Sequence, residues 1–190
     1  MDLASSLRIQ AHANRLANRR LLGAVAALPD AEFAAPRIGF FPSIAITLNH
    51  ILAVDEYYIG ALYGDSGLEA KYAAFAPARS VAELLPRQTA SDQRLIDWCE
   101  PLNAAGCDAM IEMDRGTHVQ RDRAGAVLAH LFMHQTHHRG QVHAMLAGTA
   151  VKPPQLDEFL MPSDAKFRVA DMAALGWTEA AVYGPRAGHG

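Results

Sequence analysis

The sequence predicts an all-α protein: a four-helix bundle with a small hairpin inserted before the fourth helix and a short helical C-terminal tail. Three observations carry this. Four long segments place apolar residues at helical spacing. Proline, glycine or a turn cluster bounds them, and the connections are short, as in antiparallel bundles. Only residues 110–119 read as paired short strands around a glycine turn.

The first helix is expected from Leu3 to Leu28, with Leu7, Leu16, Leu21 and Leu22 recurring on one side and Pro29-Asp30 as the stop. The following AEFAAPRIGFFPS reads as a loop. Pro42-Ser43 opens the second helix, which runs to Tyr63 and the turn Gly64-Asp65-Ser66-Gly67. The third begins at Ser80, with Glu83 completing a capping-box pattern, and runs through Leu84, Leu95 and Trp98 to Glu100. Pro86 in its first turns is expected to displace that start. Met110, Ile111 and Met113 lead into Asp-Arg-Gly, followed by Thr117 and Val119, the hairpin signal. The fourth helix covers Arg123 to Leu146 and stops at Gly148.

KPPQLDEFLMPSD reads as irregular; short helices follow near 165–175 and 178–183, and GPRAGHG at the end reads as disordered, leaving His189 without a role. The 190 residues fit a single domain, with a bundle core of about 3–148 and an extension over 149–190.

Composition narrows the function. With 51% hydrophobic residues, 19% charged residues and a net charge of −3, the chain is an ordinary globular one without the basic face that nucleic acid requires. Cys99 and Cys107 form no CxxC pair, so a thiol metal site is not expected and a reduced pair is. No signal peptide and no apolar run of membrane-spanning length is visible, so a cytoplasmic protein is expected.

The segment HLFMHQTHHRGQVHAML holds His130, His134, His137, His138 and His143. On a helical wheel Val127, Leu131, Val142, Met145 and Leu146 define the apolar stripe. His138 falls near its centre and His134 at its edge, within roughly 40° of Val127. His130 and His137 lie further round, and His143 on the far side near Arg139. Four residues apart, His134 and His138 stack about 6 Å along the axis, a spacing that lets two imidazoles reach one metal ion but equally fits two core histidines. The segment is not the zinc-protease H-E-x-x-H, because Gln135 stands where the general base would be.

A third ligand must come from another helix. His50 in TLNHILAVDEYYIGAL is the attractive partner; Asp55 is a hydrogen-bond acceptor behind the ligands or a structural partner, and His12 reads as a surface residue. Gln141, one turn after His138, is placed to fix a ligand imidazole's tautomer. Arg139 reads as off the core and paired with acidic groups, and Gly140 as a point of close helix approach.

LNHILAVDEYY followed much later by HLFMHQTHHRGQVHAML resembles the DinB family of damage-inducible bacterial proteins, within the DinB/YfiT-like superfamily. ANRRLLGAVAALPDAEF and PPQLDEF extend the resemblance over most of residues 10–160. It implies a four-helix bundle, commonly homodimeric, with a divalent metal held by His50, His134 and His138. The family is similar in fold to mycothiol-dependent maleylpyruvate isomerase and the bacillithiol S-transferases.

Three neutral imidazoles leave an ion its full charge and open positions, the layout of a catalytic site. One reading is a metal-activated low-molecular-weight thiol for S-transfer or isomerisation; another is a metal hydroxide hydrolysing a small molecule. The hydrolase reading lacks an evident general base, since Asp55 and Glu56 qualify only by nearness in sequence. A non-catalytic metal- or ligand-binding stress protein stays open beside them. Imidazole ligands suit zinc first, nickel second, and also iron.

Overall fold

The computed structural model describes residues 1–184, so the reading of the terminal segment, His189 included, falls outside the described residues except at Gly184. Four long helices form the frame: α1 (Leu3–Val25), α3 (Ile44–Tyr63), α5 (Val81–Cys99) and α7 (Ala124–Leu146). Single-turn helices α2 (Asp30–Ala34), α4 (Leu68–Ala73) and α6 (Ala104–Asp108) sit in the connections. The strands β1 (Met110–Asp114) and β2 (Val119–Arg123) precede α7, and a 3-10 turn (Pro162–Phe167), α8 (Val169–Ala174) and α9 (Glu179–Tyr183) form the tail. In the bundle α1 packs on α5 and α7, and α3 packs on the same two helices, so α3 and α7 are neighbours. No described helix is long and apolar enough to cross a membrane.

Local chemistry sets the helix ends. Asp2, Ser43 and Ser80 each accept a hydrogen bond from the backbone N–H three residues on, satisfying an otherwise orphaned donor. Gly64 closes α3 in the left-handed conformation, at φ 72°, which glycine adopts without steric cost. Pro86 lies inside α5 and does not displace its start. Ser80 fixes that start, and Glu83 accepts from the Arg79 N–H at 2.8 Å, so the proline costs the helix one internal bond. The stretch expected as loop after Pro29 contains α2, whose Phe33 is fully buried. A helix of 5 residues is too short to show periodicity in sequence. The first helix ends at Val25, short of the expected Leu28.

The core is split by a polar layer. Below it lie Leu7, Leu95, Leu128 and Leu131; above it lie Leu21, Leu52, Leu84 and Leu146. Between them each long helix contributes buried polar groups: Asn14 and Asn18 from α1, Asp55 from α3, Gln88 and Asp92 from α5, and Gln135 and Arg139 from α7. Buried polar groups are tolerated when they bond one another. Here Asp92 accepts from Asn18 at 2.8 Å and Gln88 at 3.1 Å, and Asp55 from Gln88 at 2.8 Å and Gln135 at 2.7 Å. Arg139, expected off the core, is buried in this layer. Its guanidinium donates to Asn14 and Asn18, with Asp55 and Asp92 supplying the nearby negative charge. The wheel misplaced it because the inward face of α7 is wider than its apolar stripe.

The hairpin is antiparallel, with Met113 opposite Gln120, and packs through buried Ile111 and Met113. Tyr57 of α3 donates its hydroxyl proton to the Asp114 carbonyl, tying the hairpin to the bundle. The turn places Gly116 at φ 75°, with its N–H on Asp114 Oδ1 at 2.8 Å.

Candidate metal centre

Two neighbouring helices present the histidines. On α7, His134 and His138 are one turn apart on the side facing α3, and α3 presents His50 from its second turn. One ring nitrogen from each of the three lies within 4.8 Å of the others. The ring centroids are 5.0 Å apart for His50 and His134, 4.7 Å for His50 and His138, and 4.4 Å for His134 and His138. The structure thus brings together the three histidines singled out in sequence.

Their protonation follows from the surroundings. Burial first, and then the neighbouring His138, His50, His130 and His137, together push the His134 pKa down to about 3. Burial also lowers His50 and His138. All three rings are therefore neutral at neutral pH, each with one lone pair. His134 Nε2 and His50 Nε2 face each other at 3.0 Å. Only one of them can donate, and His134 Nδ1 is buried without any partner. A cation among these nitrogens would accept every lone pair that now faces another, so the donor set fits a divalent ion.

The second layer is built as the sequence suggested at one position and not at others. Gln141 Oε1 accepts from His138 Nδ1 at 2.8 Å, which leaves the His138 lone pair on Nε2. Gln141 in turn donates from its amide nitrogen to His137 Nε2 at 3.1 Å. Asp55 makes its bonds with Gln88 and Gln135, so it is a structural partner and touches no histidine of the cluster. Burial raises its carboxyl to about 7, and that of Asp92 to about 6. Glu56 is exposed and pairs with Arg87 at 3.3 Å. His12 is buried, a correction to its surface reading: its Nδ1 donates to the Arg8 carbonyl at 3.1 Å and its ring meets Trp177 edge-on at 4.8 Å. His143 donates to the Pro154 carbonyl at 3.0 Å and secures the chain after α7. A Cβ at Gly140 would meet nothing within 4 Å, so no helix approaches closely there.

Phe41, from the loop before α3, covers one side of the cluster, 4.5 Å from the His50 ring and 5.5 Å from that of His138. On the other side a cavity of about 370 Å³ opens onto all three histidines. Val54, Tyr57 and Tyr58 of α3, Tyr72 of α4, Arg115 of the hairpin and His130 of α7 complete its walls. No carboxylate lines it. A larger cavity, of about 440 Å³, lies beyond Tyr57 and Tyr72. It holds no histidine, and its Glu56 and Asp65 pair with Arg87 and Arg94. The smaller cavity is therefore the one that opens onto the candidate metal centre.

Sequence reasoning missed Phe41, Tyr58 and Arg115, and placed Tyr57 beside His50 without giving it a role. The tyrosines were within reach, because positions 50, 54, 57 and 58 share one helical face. Arg115 had no such signal, since only the docking of the hairpin brings it to the cavity.

The curated proteins compared with the chain include no match. A family model described as the DinB family matches residues 9–166, a span holding α1 from its second turn onward, the other three long helices, the hairpin and the three clustered histidines. The chain belongs to the DinB family.

Proposed function

We propose that the protein holds one divalent metal ion between His50, His134 and His138 and acts as a metal-dependent enzyme on a small molecule, with thiol-dependent S-transfer or isomerisation as its chemistry. The observation that carries this is the convergence of three neutral imidazoles, within 4.8 Å of one another, on a cavity without carboxylates. When bound, such an ion lowers the pKa of a ligated thiol or water so that the nucleophile exists near neutral pH. Zinc is the first expectation and nickel the second; iron is also compatible with imidazole ligands.

The chain's own residues set the geometry. Gln141 fixes the His138 tautomer, and the Phe41 ring packs on that of His50 at 4.5 Å. Phe41 keeps water from one side, so a ligand enters from the cavity. The tyrosine rings offer a surface for an apolar body. A thiol asks less of this cavity than a hydrolytic water: hydrolysis usually needs a group to receive the water's proton, no carboxylate lines the cavity, and among the wall residues outside the cluster His130 is left for that role. The same lack of a carboxylate favours a second reading, a metal-binding protein without turnover.

The test is elemental analysis of tag-free protein purified without added metal, beside His134→Ala. About one ion per chain, lost in the variant, supports the site; consumption of a thiol in the presence of electrophiles then separates enzyme from binding protein. No metal in the wild type, and none taken up on addition, refutes the proposal.

A further inference from the structure

The cavity beside the histidines contains one cation whose charge no carboxylate balances. Arg115 forms no ion pair with any described residue, although other arginines around the bundle do: Arg20, Arg87, Arg94 and Arg168 all reach a carboxylate within 4 Å. Arg115 is half-buried and lines the cavity wall. A guanidinium withdrawn partly from water without a counter-ion is a site waiting for an anion.

Its position is held from several directions. Arg115 Nε donates to Gln120 Oε1 at 3.0 Å, and Nη2 to the Tyr58 hydroxyl at 3.0 Å. The guanidinium carbon lies 5.0 Å from the centre of the Tyr57 ring and 5.4 Å from that of Tyr58, within the range of cation–π attraction. The turn that carries it is closed by the Arg115 N–H on the His118 carbonyl at 2.9 Å and by the Asp114 side chain on Gly116. These contacts use Nε and one N–H of Nη2, and the other N–H of Nη2 makes only a weak contact with Met113 Sδ at 3.9 Å. Nη1 makes no hydrogen bond to a described residue, so with Nη2 it presents a fork of N–H donors that a ligand can take over from the sulfur.

We infer that Arg115 is the anion-recognition residue of this cavity, and that the cavity takes a small organic carboxylate whose body packs on Tyr57, Tyr58 and Tyr72 while its other end meets the three histidines. The inference rests on the proposed metal site for what happens at that other end, but not for the carboxylate contact itself. A carboxylate matches the guanidinium fork in a bidentate way. A volume of about 370 Å³ suits a ring-sized acid rather than a peptide or a nucleotide. With one unpaired cation and no carboxylate on the wall, the cavity prefers an anion over a neutral or cationic analogue of equal shape.

The experiment is calorimetric titration of phenylacetate and of its neutral isostere phenylacetamide into wild type, Arg115→Met and Arg115→Lys, each with and without added zinc, with metal content measured in every sample. In wild type, phenylacetate is expected to bind about tenfold or more tighter than phenylacetamide. Arg115→Met is expected to lose that preference, a drop of about ten- to a hundredfold in phenylacetate affinity. Arg115→Lys keeps the charge without the fork and falls between them. Unchanged near-ultraviolet circular dichroism excludes a folding defect, and Arg115→Lys tests the charge if Arg115→Met does not fold. Equal phenylacetate affinity in wild type and Arg115→Met, or no preference for the acid in wild type, overturns the inference. A wild type that takes up no zinc overturns the metal site instead, while the acid–amide comparison in metal-free protein still decides on Arg115.

Discussion

Gln141 and His138 form a matched pair: the amide oxygen lies 2.8 Å from the ring Nδ1, so the imidazole must keep its proton there and offer Nε2 to the cluster. One turn of α7 thus supplies both a candidate ligand and the group that orients it. Replacing Gln141 by Leu removes the acceptor and frees the ring to flip. Metal affinity is expected to fall about ten- to a hundredfold, the usual range for a lost outer partner. Competition against a calibrated chelator measures it, and equal affinity in the variant would contradict the assigned role.

The histidines of α3 and α7 are expected to differ sharply in what their removal does. His50→Ala, His134→Ala and His138→Ala should each bring metal content from about one ion per chain to near zero. His143→Ala should keep its ion, because His143 bonds to the Pro154 carbonyl away from the cluster. Metal content of the four variants, purified side by side, gives the comparison. Equal content in all four would remove the site.

Stability should depend on pH through the polar layer. Asp55 faces Gln88 and Asp92 from α5, Gln135 and Arg139 from α7, and through Asp92 it meets Asn14, Arg15 and Asn18 of α1. Burial raises its folded pKa from 3.8 to about 7, so its contribution is fully present below pH ~4 and is lost as pH rises through 7. The clustered histidines, with lowered pKa values, act in the opposite sense over the acid range. The difference between wild type and Asp55→Asn isolates the carboxyl. Asp55→Asn should gain stability relative to wild type between pH 5 and 8, read as urea midpoints in metal-free protein. A constant difference across that range would show that Asp55 does not titrate there.

Arg139 ties α7 to α1 through Asn14 and Asn18 while facing the Asp55 and Asp92 charges. Arg139→Leu leaves those carboxylates buried without their central cation. The expected cost is about 3–5 kcal/mol at neutral pH, the range for breaking one partner of a buried charged set. Chemical denaturation at pH 7 tests it, and a loss below 1 kcal/mol would mean that Arg15 alone neutralises the layer.

The four long helices were legible because leucine spacing and serine caps act locally. Ser43 and Ser80 accept the hydrogen bonds that their positions in the sequence suggest. The histidine cluster was legible for a similar reason: a four-residue spacing on one helix and a motif on another survive without knowledge of packing. Arg139 and His12 were misread because a wheel ranks residues by hydropathy, whereas the bundle buries charged and polar groups that bond across helices. Arg115 and Phe41 were invisible because each reaches the site on a loop or turn whose position depends on the finished fold.

The two rows on α7 have a consequence for how the helix is seated. His134 and His138 face α3, while their immediate neighbours Gln135 and Arg139 reach Asp55 on α3 and the asparagines on α1. The rows are offset by one residue, so they interlock like the wards of a key. Sliding α7 by a single position would pull Arg139 from Asn18 and turn His138 away from His50 in the same movement. A metal ion arriving at the cluster therefore meets a lock already cut, and the polar layer behind it is what keeps the bit aligned.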